Sequence, residues 1–111
     1  MKNRKETLLS LIWYKTNLNE IREDLKKYKW DSKDELVIVD RIIIDAIMKR
    51  YIDMEISQEN LIDRANIIEW RDDIGFSSDE IQELIFTIAN PVLNGDFSLE
   101  MAKELIQLWN I

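Results

Sequence analysis

Leu36-Val37-Ile38-Val39-Asp40-Arg41-Ile42-Ile43-Ile44-Asp45 is the stretch on which the fold class turns. Two periods compete in it. The β-branched run Val37–Ile44 suits a buried strand, because two heavy atoms on Cβ pack well on a pleated surface and lose rotamer freedom in a helix. A helix instead places Leu36, Val39, Ile43, Ile47 and Tyr51 on one face at three- and four-residue spacing. Asp40, Arg41 and Asp45 would interrupt a strand, and the helical pattern continues to Tyr51, so we read the stretch as helix. Val37, Ile38, Ile42 and Ile44 then cover most of the cylinder, as on a helix central in its bundle. Ser32 and Glu35 match a capping box, which places the start of this helix at Asp31 or Ser32.

On the N-terminal side, a first helix is expected from Glu6 to Tyr28. Leu11, Tyr14, Leu18, Ile21, Leu25 and Tyr28 alternate three and four apart, and Leu8 and Ile12 widen the stripe. Asn17 and Asn19 are weak helix formers, so a kink or break is allowed there. Arg22, Lys26, Lys27 and Lys29 gather near its C-terminal end, where the macrodipole favours cations.

On the C-terminal side, Ser57 opens a third helix, Gln58 to Trp70. Leu61, Ala65 and Ile68 share one of its sides, and Glu59, Asp63, Asn66 and Trp70 the other. Gly75 is expected at a C-cap or a positive-φ turn. A fourth helix spans Asp79 to Ala89, with Ser77 and Glu80 as its capping box and Phe76 and Ile81 as a hydrophobic staple. Asn90-Pro91 closes it, and Asn94-Gly95-Asp96 makes a turn. Ser98 caps a fifth helix, Leu99 to Trp109. Two glycines and one proline in 111 residues leave few breakers for sheets or irregular loops. The expectation is one all-α domain over residues 1–111, a compact bundle of about five helices.

Composition removes several chemistries. There is no cysteine and no histidine, so neither a disulfide, nor a thiolate zinc site, nor a catalytic triad built on imidazole is available. The first residues lack a signal-peptide pattern, and no apolar run approaches the roughly 20 residues of a membrane span. A cytoplasmic protein is expected. The net charge of −7 is unevenly spread. Residues 1–30 hold eight Lys/Arg against four Asp/Glu, and residues 31–111 hold seven against eighteen, a balance of −11. Such a body argues against nucleic acid as a ligand and is compatible with a basic protein partner, but from charge alone solubility is the leading explanation. Asp72-Asp73 is the obvious acidic pair. Adjacent carboxylates seldom converge on one ion, so we expect one to cap a turn or pair with Arg71 or Arg64 and the other to face water, with no metal and no catalytic role. Of the four tryptophans, Trp13, Trp30 and Trp109 are expected to pack. Trp70 is evenly balanced between burial under the fourth helix and service as an interface anchor.

Residues 51 to 108 carry a further pattern: Tyr51-Ile52, Glu55-Ile56-Ser57, Trp70-Arg71-Asp72-Asp73-Ile74, Ile85-Phe86, Ala89-Asn90-Pro91, Gly95, and a closing helix with Ala102 and Leu105. In this the chain resembles the small acidic helical immunity proteins of bacterial contact-dependent growth inhibition, or of the colicin type. The resemblance implies a cofactor-free, non-enzymatic inhibitor that covers the basic active site of a cognate toxin nuclease. From geometry, the candidate contacts are Glu55, Glu59, Asp63, Glu69, Trp70, Asp72 and Asp73. The free protein is expected to be a monomer or a weak dimer. The alternative is a helical adaptor or homodimerising scaffold that uses an apolar groove.

Overall fold

The computed structural model describes residues 3–29 and 31–109, with the side chains of Asn94 and Trp109 excepted. Among the described residues the order is α1 (Arg4–Ile12), α2 (Leu18–Leu25), β1 (Val37–Val39), α3 (Arg41–Ile52), α4 (Gln58–Glu69), β2 (Ile74–Phe76), α5 (Asp79–Ala89), α6 (Pro91–Asn94) and α7 (Leu99–Trp109). The helical expectation holds. The count of five and the all-α class do not, because one helix is broken and a small parallel sheet is present.

The sheet corrects the reading of Val37–Ile44. Val37, Ile38 and Val39 pair in parallel with Ile74, Gly75 and Phe76. Val37 and Val39 are buried and Ile38 points outward, the two-residue alternation of a half-buried strand. Asp40 ends the strand and begins the helix in one residue: its Oδ1 accepts from Ile43 N at 2.9 Å and so caps α3. The expected start at Asp31 or Ser32 is therefore displaced to Arg41. Ser32 makes a local turn instead, its Oγ donating to Asp34 O at 2.8 Å.

Gly75 also departs from expectation. It sits inside β2 rather than at a turn, and the carboxylate of Glu35 occupies the space that a Cβ on Gly75 would need. The left-handed glycine is Gly95, at φ 78°, which ends α6 within the expected Asn94–Asp96 turn. At α5 the cap is Ser78, whose Oγ accepts from Ile81 N, not Ser77. That one-residue shift removes Phe76 and Ile81 from staple positions.

The first expected helix breaks at residues 13–17. Tyr14 (φ 54°) and Thr16 (φ 66°) are left-handed, and Asn17 caps α2 by accepting from Asn19 N. Each non-glycine residue held there costs about 1 kcal/mol. Two arginines from later helices offset this by binding the carbonyls that the break exposes. Arg50 Nη1 donates to Trp13 O at 2.9 Å and Nη2 to Tyr14 O at 3.1 Å. Arg64 Nη1 donates to Ser10 O at 3.2 Å and Lys15 O at 2.9 Å, and its Nη2 donates to Thr16 O. Cations thus meet the negative end of α1.

The core joins all of these elements. α4 buries Leu61, Ala65 and Ile68 against α5, as their spacing required. α3 packs on α7, and α1 on α2, α4 and β1. The radius of gyration is 13.6 Å, close to the ~13 Å of a compact domain near this size. Trp13 is half-buried against the core as expected. Trp30 and the side chain of Trp109 lie outside the described residues. None of the described helices is long and apolar enough to cross a membrane.

Two phenols are buried on backbone carbonyls. Tyr14 OH donates to Leu61 O at 3.0 Å, and Tyr51 OH to Phe97 O at 2.7 Å. Burial raises the Tyr14 hydroxyl well above its ordinary 10.0, against a smaller opposing pull from Arg64, and burial also raises Tyr51. A raised folded-state value means that the unfolded chain loses its proton first. The contribution of Tyr14 to stability is therefore full below about pH 10 and declines above it, by up to about 1.4 kcal/mol per pH unit. Urea midpoints measured from pH 8 to 12 should fall less steeply for Tyr14→Phe than for the native chain. Parallel slopes would contradict the burial of this hydroxyl.

Candidate interaction surface

Between Tyr51 and Ala102 the chain holds twelve Asp/Glu and only two cations, Arg64 and Arg71. Both arginines are buried, at 3 % and 9 % exposure. Each is consumed internally, Arg64 by carbonyls of the α1–α2 junction and Arg71 by Asp73. Eleven of the twelve carboxylates reach the surface to some degree, Asp73 being the exception. The exposed charges that residues 51–102 contribute are therefore all negative, while Arg22 lines the hollow beside Glu59 and Asp63 and the Lys29 backbone adjoins Arg71.

The two sides foreseen on α4 are present. Opposite the buried Leu61, Ala65 and Ile68 run exposed Glu59, half-exposed Asp63 and Asn66, and Trp70. Trp70 is 72 % exposed at the C-cap, so neither α5 nor any other element covers it. An indole held in water on a fixed backbone is the kind of group that gains most from a partner. At the N-terminal end of the ridge, Glu59 and Asp63 border a polar hollow of about 460 Å3 shared with Arg22 and Asn17. Glu55 is exposed on the connection between α3 and α4, just after left-handed Met54.

The other nominated residues divide. Asp72 faces water. Glu69 is half-buried and clamps two helix ends, because Asn90 Nδ2 donates to its Oε1 and Oε2 at 3.2 and 3.3 Å. Asp73, expected at the contact surface, is instead 0 % exposed and cannot meet a partner there. Arg71 Nε and Nη2 donate to its two oxygens at 3.0 and 2.9 Å, and Arg4 Nε donates to Oδ2 at 3.0 Å. Both guanidiniums also donate to Lys29 O. The Asp73 carbonyl accepts from Leu36 N at 2.8 Å. Arg71 was the foreseen partner for one aspartate of the pair. Arg4, 69 residues away, had no local signature.

Sequence periodicity also missed part of the surface. Val92 and Leu93 are 97 % and 73 % exposed, and Phe86 is 44 % exposed. Asn90-Pro91 ends the amphipathic pattern of α5, so the two residues after it belong to no stripe. An apolar cleft of about 550 Å3 lies where the N-termini of α4 and α7 meet the end of α3, floored by Tyr51 and Ile56 and walled by Met54 and Leu99. The hydroxyls of Ser57 and Ser98 beside it are already used as helix caps. Among the described residues no group of three or more carboxylates is placed to hold a metal.

In class, the described residues form seven helices with one two-stranded parallel sheet. No protein-family model, curated protein or solved structure matches the chain.

Proposed function

We propose that this protein is a non-catalytic, immunity-type inhibitor that acts in the cytoplasm by covering the basic groove of a toxin nuclease domain. The observation that carries this reading is the absence of any surface cation from Tyr51 to Ala102, with Trp70 exposed within that span. A nuclease that grips phosphates needs a cationic cleft, and a field of one sign steers such a cleft onto the acidic face. Trp70 supplies the short-range anchor that electrostatics lacks. Glu55, Glu59, Asp63, Glu69 and Asp72 remain its candidate partner-facing carboxylates.

The test is to mix the protein with the nuclease domain encoded beside it. A one-to-one complex and loss of nuclease activity are expected. Reversing Glu55, Glu59 and Asp63 to lysine should slow association about tenfold or more at low salt while leaving the folded fraction unchanged. Trp70→Ala should instead speed dissociation, at a cost of about 2 kcal/mol. Absence of a complex at low salt would remove the proposal, and unchanged association rates would remove the ridge from it. The apolar cleft at Tyr51 and Leu99 favours a second reading, an adaptor for an apolar peptide. In that case binding would be indifferent to salt and to the three reversals.

A further inference from the structure

Trp70, Phe86, Val92 and Leu93 are exposed, each within four residues in sequence of one hydrogen-bonded junction. Asn90 Nδ2 joins the Glu69 carboxylate at the end of α4 to Phe86 O on α5, the latter at 2.8 Å. Trp70 follows Glu69 directly, and Val92 and Leu93 follow Asn90-Pro91. The site is held in shape. Pro91 begins α6, Leu93 N donates to Asn90 O at 3.1 Å, and Gly95 N donates to Pro91 O at 2.7 Å. A lone exposed apolar side chain needs no explanation, but four within four residues of one fixed junction do.

We propose that this seam between α4 and α5 anchors the contact, and that its occupant is a basic amphipathic segment of the partner. Apolar side chains of that segment cover Trp70, Phe86, Val92 and Leu93, and Lys or Arg on its flanks face Asp63, Asp72 and Glu83. The inference rests on the acidic-surface reading above and adds the chemistry of what binds there.

Charge decides among the occupants. A nucleic acid or an anionic lipid surface would meet the like charge of Asp63, Asp72 and Glu83 near the seam. A second copy would bring two acidic rims together across a twofold axis, where they repel. Self-association would therefore strengthen as salt screens the rims, whereas a basic segment would bind more weakly as salt rises. An apolar centre with a polar, charged rim is also how protein interfaces divide their work.

The experiment uses the full chain, isotope-labelled, with a synthetic Leu/Lys amphipathic helix as probe and its Leu/Glu counterpart as control. The Trp70 indole and the Val92 and Leu93 methyl signals are followed by NMR at low and high salt. The Lys peptide should shift these signals at low salt and release them at high salt, and the Glu peptide should leave them still. Val92→Ser with Leu93→Ser should weaken the Lys peptide about tenfold. Both side chains are so exposed that the fold does not depend on them. If the Lys peptide binds but moves only the Glu59 and Asp63 signals, the seam is overturned and the acidic-surface reading survives. If it does not bind at all, both fall. Equal, salt-indifferent binding of the two peptides would overturn the basic occupant, as would peptide-free self-association that moves the same signals and grows with salt.

Discussion

Asp73→Ala is expected to destabilise the protein more than any other single carboxylate change, by about 3–5 kcal/mol, because it leaves two guanidiniums facing an empty, buried position. Such a loss is a large part of the ~5–15 kcal/mol that holds a domain of this kind. Asp73 is not merely buried. Its side chain holds Arg71 from its own loop and Arg4 from α1, and its carbonyl receives the backbone that leads into β1. Three segments distant in sequence are fixed through one residue. Arg4→Ala should cost less than Asp73→Ala, since its side chain keeps 27 % of its exposure and water can replace part of the loss. Adding Arg4→Ala to Asp73→Ala should cost little more, because the two share one interaction. Urea unfolding with circular dichroism measures all three. A midpoint for Asp73→Ala within about 0.5 kcal/mol of native would show that the cluster is not a keystone.

Arg64→Ala is expected to follow closely, at about 3 kcal/mol, through a different cause. Among the described residues no carboxylate forms an ion pair with Arg64. Its charge is held by the carbonyls of Ser10, Lys15 and Thr16, by Asn60 Oδ1 at 2.9 Å, and by the Tyr14 ring at 5.4 Å. Removing it takes away the bonds to Lys15 O and Thr16 O, leaves Ser10 O with its bond from Lys15 N, and frees the two left-handed residues between α1 and α2. Arg64→Lys should recover only part of the loss, since one ammonium lacks the planar fork that reaches divergent acceptors. Amide exchange read residue by residue should accelerate first at residues 13–19, ahead of global unfolding. Uniform acceleration throughout the protein would mean that Arg64 supports the core generally and not this junction.

The polar face of α4 was legible in the sequence, the exposure of Trp70 was evenly balanced there, and the fate of the Asp72-Asp73 pair was legible only in outline. On α4, spacing alone placed Leu61, Ala65 and Ile68 inside and Glu59 and Asp63 outside. An amphipathic helix sorts its faces by a rule that needs no knowledge of neighbours. For the aspartates, a turn cap, Arg71 and Arg64 were all open from local sequence, and Arg71 is the one that binds Asp73. Which of the two would turn inward depended on Arg4, brought there by the fold.

Local chemistry thus settled the helical character, the caps at Ser57 and Ser98, and the sign of the surface, since each rests on residues within about one turn of each other. Tertiary structure settled the rest. Val37–Val39 became a strand because Ile74–Phe76 lies alongside it, supplying hydrogen bonds that a helix would have had to find within itself. The first helix broke where arginines from α3 and α4 were at hand to receive its carbonyls. In both places the local preference was nearly balanced, and contacts more than thirty residues distant decided it.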